Sequence, residues 1–328
     1  MSTTQTSPLR VALIGAGSFA EERLLPLFRE QGLELRSVLS RDASRAKQLA
    51  DKFGATASNP CPSSLEQLFA DDTLQAVVIA NHDARHAEAA IAAAKAGKHV
   101  FVEKPLATSL FDAREVAQAC RVNNVRCMVG FHNRFAPANT IVREALEKGS
   151  IGQVRRLHLR WSSQQTMNWR GSCDLGPWWV LAALGAHVMD LSEWLLAPSC
   201  GPIVDLRALA SDGVHHQGAD ESAVISLRFK NGALVTLEIS CVDEAVKHIE
   251  ITGTAGKIIC RNTLGAGGGG VVLLNSESVP FEPCNPYAAE LAAFVSAIRS
   301  GKDLEPNAAD GVRNVEWLER IEASFNGV

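Results

Sequence analysis

The chain has 328 residues, 46% of them hydrophobic, and a formal net charge of -4 at pH 7. This length is enough for two domains with buried cores, and the weak negative charge argues against nucleic acid or an anionic membrane as the main partner. No apolar run reaches the roughly 18 residues that a membrane helix requires, and residues 1–8 lack the pattern of a signal peptide. A small-molecule substrate and a cytoplasmic location are therefore expected.

The first 130 residues alternate short apolar runs with amphipathic stretches, which is typical of β-α-β units around a parallel sheet. Strands are predicted at 10–14, 35–39, 76–80, 99–102 and 126–129. Helices are predicted at 19–30, 43–53, 64–69, 85–96 and 110–123, the last one opened by a capping box of Ser109 and Asp112.

From residue 131 onward the strands become longer and alternate with period two, which predicts an antiparallel sheet. Its strands are expected at 154–161, 222–229, 233–239 and 248–252, with helices at 178–195, 286–300 and 311–324. The sequence therefore predicts an α/β protein of two domains, 1–130 and 131–328.

The segment Gly15-x-Gly17-x-x-Ala20 follows the first strand and opens a helix. Gly15 permits a tight turn, Gly17 lets the backbone approach a pyrophosphate, and the small Ala20 lets the helix pack closely on the strand. Ligands of parallel sheets bind outside the carboxyl ends of the strands. This segment therefore predicts a dinucleotide site.

The end of the second strand indicates which nucleotide binds. An acidic residue there would hold the ribose 2′-hydroxyl of NAD, but Glu34 lies at the start of this strand, and Ser40 and Arg41 follow its end. A guanidinium forks onto phosphate oxygens, so NADP is predicted in preference to NAD. The alternative is a solvated arginine at a helix start.

Two further residues are candidates for proton transfer. Lys104 follows the strand 99–102, where partial desolvation and a cationic nicotinamide would lower its pKa toward neutrality; otherwise it is a surface lysine. His187 and Asp190 are three residues apart and share a face of the predicted helix 178–195. His187 is either catalytic or a histidine of the core.

Other conspicuous motifs predict no chemistry. The glycine-rich run 265–270 lacks the Lys-Ser/Thr of a phosphate loop, and His215-His216 lacks a third ligand, so no metal site is predicted. Trp178 and Trp179 line a pocket or fill the core. The eight cysteines form no C-x-x-C and are expected to be reduced thiols, mostly in the core.

Taken together, the motifs resemble those of the Gfo/Idh/MocA oxidoreductases, the glucose–fructose oxidoreductase and inositol dehydrogenase family, along almost the whole chain. The matching segments are Gly15-Ala16-Gly17, Ser40-Arg41-Asp42, Ala80-Asn81-His82 with His86, Glu103-Lys104-Pro105, Gly130-Phe131-His132-Asn133-Arg134-Phe135 and Gly185-x-His187-x-x-Asp190. The resemblance implies a Rossmann domain followed by an α/β domain with a large, mostly antiparallel open sheet. That sheet often supports homodimers or homotetramers in the family.

The resemblance also implies roles for individual residues. Lys104 would be the catalytic lysine, often in a cis bond to Pro105, and His187 the catalytic histidine. The cofactor-binding residues would be Gly15, Gly17, Ser18, Phe19, Ser40, Arg41, Ala80, Asn81, His82, His86, Glu103, Lys104, Asn133 and Arg134. The substrate-binding residues would be Lys104, Trp169, Arg170 and His187.

The chain departs from the family pattern at Ala183, where the family commonly has an aspartate four residues before the histidine. Losing one acid–base group costs a factor of about 10² to 10⁴ in rate unless another group substitutes for it, and Asp190 and Asp174 are the candidates. The expected function is NADP-dependent interconversion of a secondary alcohol and a ketone on a small sugar or cyclitol. The alternatives are an NADPH-dependent imine or carbonyl reductase and a non-catalytic NADP-binding regulator.

Overall fold

The structure, a computed structural model, describes residues 7–166, 169–171 and 178–325, and the chain divides into two compact units. The first unit comprises Met1–Gly130 and Tyr287–Val312, and the second comprises Phe131–Pro286 and Arg313–Val328. The sequence pattern had assigned all residues after 130 to the second domain. The structure instead places residues 287–312 in the first unit, where Phe294 packs edge-on against Phe101 with ring centroids 5.7 Å apart. Such a long-range contact leaves no local sequence pattern.

The first unit contains a five-stranded parallel sheet in the order β2-β1-β3-β4-β5. Its strands are β1 (Leu9–Ile14), β2 (Leu33–Leu39), β3 (Ala76–Ile79), β4 (His99–Val102) and β5 (Cys127–Val129). The helices that connect them are α1 (Ala43–Phe53), α2 (Leu65–Phe69), α3 (His86–Lys95) and α4 (Leu110–Val122). The strand order reverses between β1 and β3, and ligands of such sheets bind at this switch point.

The start of the first unit differs from the predicted α-helix 19–30. Ala20–Leu24 forms a π-helical turn and Leu25–Leu27 a 3-10 turn. Pro26 has no N–H to donate, so the α-helical hydrogen-bond pattern cannot continue through it. The capping box of α4 is confirmed, since the Asp112 backbone N–H donates to Ser109 Oγ at 3.1 Å.

The second unit contains an eight-stranded sheet in the order β13-β12-β11-β10-β6-β9-β8-β7. Its strands are β6 (Val154–Ser162), β7 (Ile203–Ser211), β8 (Ser222–Phe229), β9 (Leu234–Ser240), β10 (His248–Gly253), β11 (Lys257–Arg261), β12 (Val271–Leu274) and β13 (Glu277–Ser278). All pairs are antiparallel except β6 with β9, which confirms the mostly antiparallel sheet.

Helices complete both units. The second unit has α5 (Pro137–Glu147), a π-helical turn at Leu181–Gly185 and α6 (Ala186–Cys200). Near the end of the chain are α7 (Pro286–Ser300) and α8 (Ala308–Phe325). The sequence pattern did not predict α5, β7, β11, β12 or β13.

One face of the eight-stranded sheet is buried and the other is open. Along β6, Leu157, Leu159 and Trp161 are buried, whereas His158 and Arg160 point to the opposite face and are partly or fully exposed. Five of the seven cysteines in the part of the chain that the structure describes are buried, as expected; Cys173 lies outside it. None of the described helices is long and apolar enough to cross a membrane.

Candidate functional site

The turn after β1 in the first unit has the shape of a nucleotide cradle. Gly15 has φ +111°, and a Cβ atom at this position would lie 2.5 Å from the Ala80 carbonyl oxygen, so only glycine fits. A Cβ atom on Gly17 would meet no atom within 4 Å. The backbone is therefore open at Gly17, and Ser18 beside it is exposed. Phe19 is half-buried against the Tyr287 ring, with centroids 5.6 Å apart.

The carboxyl end of β2 carries a free cationic side chain. Arg41 is exposed, and no ion pair joins it to another described residue. Ser40 accepts a hydrogen bond from the Asp42 backbone N–H at 3.2 Å. Glu34 lies at the other end of β2, where it accepts a hydrogen bond from Thr56 at 2.6 Å.

The carboxyl end of β3 is linked to the Lys104 segment by a buried histidine. His86 Nδ1 lies 2.7 Å from the Pro105 carbonyl oxygen, and Nε2 lies 3.2 Å from the Asn81 carbonyl oxygen. His86 is only 1% exposed, so it contacts the protein backbone and holds these two segments together. His82, which follows Asn81, is half-buried.

Lys104 follows β4, is half-buried and forms a cis peptide bond with Pro105. Its backbone N–H donates to the Glu103 carboxylate at 3.3 Å. Glu103 is buried, and a Cβ atom on Gly130 would lie 2.9 Å from its carboxylate. Burial, with the nearby charges of Glu103 and Glu290, raises the pKa of the Tyr287 hydroxyl.

These residues of the first unit fit a dinucleotide. Gly17 leaves space for a pyrophosphate beside its backbone N–H groups. The side-chain oxygen of Asn81 is buried and accepts no hydrogen bond from any described residue, so it is available to a ligand. Arg41 matches a 2′-phosphate in charge.

His187 lies in the second unit, near the start of α6, and is 6% exposed. Its imidazole stacks on the Trp161 indole, with centroids 5.5 Å apart and an interplanar angle of 25°. The His132 ring contacts it edge-on, with centroids 4.7 Å apart. Two aromatic neighbours therefore fix the His187 ring, and the sequence analysis assigned a role to neither of them.

Asp190, which follows on the same helix, has a different partner. Arg134 donates to both Asp190 carboxylate oxygens, from Nε at 2.9 Å and from Nη2 at 2.5 Å. Both side chains are buried. The Asp190 carboxylate is therefore held in a two-pronged ion pair with Arg134. This pairing argues against Asp190 as the substitute for the acid that is absent at position 183. Asp174, the other candidate substitute, lies outside the described residues.

The π-helical turn Leu181–Gly185 places Ala183 immediately before α6. Asp220 holds the start of this segment, because its carboxylate accepts hydrogen bonds from the backbone N–H groups of Trp179 and Leu181, the latter at 2.8 Å. Burial raises the pKa of Asp220 to about 7. Asp220 was not a candidate from the sequence, since no motif surrounds it.

Lys247 is a further residue that the sequence analysis missed. Its ammonium lies 5.5 Å from the centroid of the Trp161 ring and donates to the Leu264 carbonyl oxygen at 3.3 Å. Burial lowers the pKa of Lys247. The backbone N–H of Gly265 donates to Asn133 Oδ1 at 3.0 Å, so the glycine-rich run begins beside this lysine.

The three tryptophans that were candidates from the sequence divide into two groups. Trp169 and Arg170 are half-buried, and the Arg170 guanidinium lies 4.2 Å from the centroid of the Trp169 ring. Trp178 and Trp179 are buried, and Trp178 Nε1 donates to Glu322 at 3.0 Å. The core interpretation of Trp178 and Trp179 therefore fits better than a pocket wall.

Two family models match the chain. Residues 9–131 match the model GFO_IDH_MocA, described as an oxidoreductase family with an NAD-binding Rossmann fold. Residues 140–259 match the C-terminal domain model of the same family, GFO_IDH_MocA_C3.

Individual proteins are also similar over nearly the whole chain. A 1,5-anhydro-D-fructose reductase of Ensifer adhaerens is 31% identical over 311 residues, covering 92% of this chain and 92% of that protein. A 4-carboxy-2-hydroxymuconate-6-semialdehyde dehydrogenase of Sphingobium is 31% identical over 307 residues, covering 92% and 93%. The crystal structure of an aldose-aldose oxidoreductase from Caulobacter crescentus has a TM-score of 0.89 at 20% identity and covers 98% of each chain, a similarity of fold.

Proposed function

Because the chain belongs to the GFO/IDH/MocA oxidoreductase family, we propose that it interconverts a secondary alcohol and a ketone on a small polyhydroxylated substrate, with NADP as cofactor. The observation that carries this proposal is the half-buried Lys104 at the carboxyl end of β4, in the same parallel sheet as the open Gly17 turn. The 1,5-anhydro-D-fructose reductase, a relative with a sugar-derived substrate, supports the substrate class.

The nucleotide, when bound, supplies a hydride acceptor or donor. Lys104 is the principal proton-transfer group, taking the hydroxyl proton in oxidation and returning it in reduction. His187 is its partner and orients the substrate through a ring that Trp161 and His132 hold in place. Trp169 and Arg170 are proposed to contact the substrate.

The preference for NADP follows from charge at the end of β2. Arg41 is exposed and has no ion-pair partner among the described residues, and Ser40 supplies a hydroxyl beside it. Ser40 and Arg41 directly follow the strand, so no carboxylate there repels a 2′-phosphate. The next residue, Asp42, caps α1 by accepting a hydrogen bond from the Arg45 backbone N–H. Gly15, Gly17, Ser18 and Asn81 are proposed to hold the rest of the nucleotide.

A turnover screen tests the proposed function, with nicotinamide absorbance as its readout. NADP⁺ and NAD⁺ are supplied with sugars and cyclitols, and NADPH with ketones and imines. We expect alcohol oxidation with a higher kcat/KM for NADP⁺ than for NAD⁺. Lys104→Met should lower kcat/KM by a factor of about 10² to 10⁴.

Lys95→Met is the matched control, because Lys95 is an exposed lysine at the end of α3, and its kcat/KM should equal that of the wild type. Unchanged kcat/KM in Lys104→Met would contradict the proposed role. NADPH oxidation by imines without any alcohol oxidation would instead identify a dedicated reductase. Nucleotide binding by folded protein without turnover on any compound would identify a regulator.

We also propose that two copies of the chain associate through the open face of the eight-stranded sheet. A row of paired residues crosses seven strands of this face, with apolar residues at its ends and charged residues in its centre. The row consists of Leu209, Val224, Glu238, Arg160, His248, Arg261 and Val271. Leu209 is 75% exposed and Val224 is 47% exposed. Removing these apolar side chains from water would stabilise the association.

A further inference from the structure

Lys247 has an unusual environment for a cationic side chain. It lies directly before β10, is half-buried, and its ammonium is placed over the face of Trp161. Among the described residues, its ammonium donates to a neutral acceptor, the Leu264 carbonyl oxygen. No carboxylate of the described residues lies within ion-pair distance of it. The charge of Lys247 is thus partly desolvated and not balanced by an anion within this part of the chain.

A second donor lies close to Lys247. A Cβ atom on Gly265 would lie 3.2 Å from Lys247 Nζ and 3.3 Å from the Trp161 ring, so the ammonium rests against Gly265. The Gly265 backbone N–H donates to Asn133 Oδ1, which places the Asn133 amide at the same glycine. Asn133 Nδ2 is buried and donates to no described residue. A buried donor without an acceptor is costly, and a ligand oxygen would satisfy it.

The same indole connects Lys247 to the proposed catalytic histidine. Trp161 stacks on His187 and also lies beneath the Lys247 ammonium. The Trp161 ring centroid thus lies 5.5 Å from the His187 ring centroid and 5.5 Å from the Lys247 ammonium, so both groups border the same indole.

We propose that Lys247 and Asn133 Nδ2 bind a carboxylate group carried by the substrate, so that the substrate class is a polyhydroxylated monocarboxylate. This inference rests on the proposed function, because it takes His187 to contact the substrate. Lys247 supplies the charge, and Asn133 supplies a neutral hydrogen bond to the second oxygen.

The number of charges favours a carboxylate over a phosphate. Arg134 lies next to Asn133 in the chain, but its guanidinium is balanced by Asp190. Of the two cations near Asn133, Lys247 is then the one without a counter-ion among the residues described. Its single positive charge matches one negative charge on a ligand. A phosphate dianion would leave one charge uncompensated in a partly buried site.

The experiment is calorimetric titration of the NADP⁺-saturated protein with pairs of compounds that differ only at C6. The pairs are D-glucuronate with D-glucose and D-galacturonate with D-galactose, and D-glucose 6-phosphate is the phosphate arm. We expect at least one uronate to bind about 10- to 100-fold more tightly than its neutral partner. In Lys247→Met this ratio should fall to near one, whereas Lys247→Arg should retain most of it.

Lys230→Met is the control, because it removes an exposed lysine of the same unit and should keep the wild-type ratio. The inference is wrong if no uronate is preferred over its neutral partner, if glucose 6-phosphate binds more tightly than the uronates, or if Lys247→Met keeps the ratio. Turnover is measured on the same samples. Lysine-dependent uronate binding without turnover would contradict the proposed function alone, and turnover of neutral sugars without a uronate preference would contradict this inference alone.

Discussion

Gly15 and Gly17 belong to one motif but have different physical reasons to be glycine. Gly15 has a positive φ and lies against the Ala80 carbonyl, so the protein's own packing requires it. Gly17 has open space where a side chain would point. The reason for a glycine at position 17 must therefore lie outside the chain, and the pyrophosphate of the nucleotide is the group that fits.

The two alanine variants should therefore fail in different ways. Gly15→Ala should lower the free energy of unfolding of the nucleotide-free protein by about 2 kcal/mol or more, through backbone strain and overpacking. Gly17→Ala should change that free energy by less than about 0.5 kcal/mol but weaken NADP⁺ binding about tenfold or more, a loss of about 1.4 kcal/mol. Urea denaturation and calorimetric titration measure the two quantities. Equal losses of stability in both variants would refute the distinction.

The same contrast shows which site residues a sequence can reveal. Gly15, Gly17 and Lys104 stand in local motifs whose spacing reflects one turn or one strand end, so the sequence predicted their placement. Trp161 and Lys247 approach one another only through the folding of separate strands, and no local pattern records that contact. The pairing of Arg134 with Asp190 is likewise a contact between separate segments that neither motif recorded, and the cofactor contact of Arg134 stays a prediction.

At the scale of elements, a π-helical turn lies next to each of the two main motifs. Ala20–Leu24 follows the glycine turn, and Leu181–Gly185 precedes His187. Such turns insert a residue into a helix, change the direction of the side chains that follow, and are frequent at functional sites. The sequence predicted an α-helix in both places, because the residues of a π turn have ordinary helical propensities. The predicted strands of the first unit agree with the observed ones to within two residues at each end.

The start of the second π turn should make stability depend on pH. Burial raises the pKa of Asp220 from its ordinary value of 3.8 to about 7. The folded state then binds more protons than the unfolded state between these values, so the free energy of unfolding falls as the pH rises through them. The Asp220→Asn variant has no ionisable group at this position. Between about pH 5 and pH 7.5, the free energy of unfolding of the wild type should therefore fall by on the order of 2 kcal/mol more than that of the variant.

Urea denaturation at a series of pH values measures this difference. Asp205→Asn is the control, because Arg228 and Arg207 hold the pKa of the half-buried Asp205 below its ordinary value. Asp205 is therefore ionised in both states across this range, and its variant should follow the wild-type pH dependence. Parallel curves for Asp220→Asn and the wild type would show that Asp220 does not titrate in this range.

At the scale of the whole molecule, the open sheet face is the surface through which we propose that copies of the chain assemble. Glu238 accepts hydrogen bonds from His158 at 3.0 Å and from Arg160 at 3.1 Å, so the charges in the centre of the face are already partly paired. Covering them against a second copy then costs less desolvation than covering isolated charges. The apolar residues toward the edges supply the favourable burial.

A charge placed among those apolar residues should separate the copies. We expect the wild type to sediment as a dimer or tetramer and Val224→Lys to sediment as a monomer at micromolar concentration, because the lysine would be buried without a partner. Phe111→Lys is the control, since Phe111 is 72% exposed on α4 of the first unit, and it should leave the assembly intact. A monomeric wild type, or an assembled Val224→Lys, would rule out this interface.

The division of the first unit into two chain segments affects how the protein is made. Phe101 in β4 is covered by Phe294, and Val129 donates its backbone N–H to the Pro306 carbonyl at 3.2 Å. On the ribosome these partners follow the fifth strand by more than 160 residues, a delay of roughly 10 to 30 s at ordinary rates of synthesis. Throughout that delay the nascent nucleotide-binding unit lacks the Phe294 ring against Phe101 and the carbonyl partner of Val129. A fragment that ends at Gly130 lacks both partners permanently.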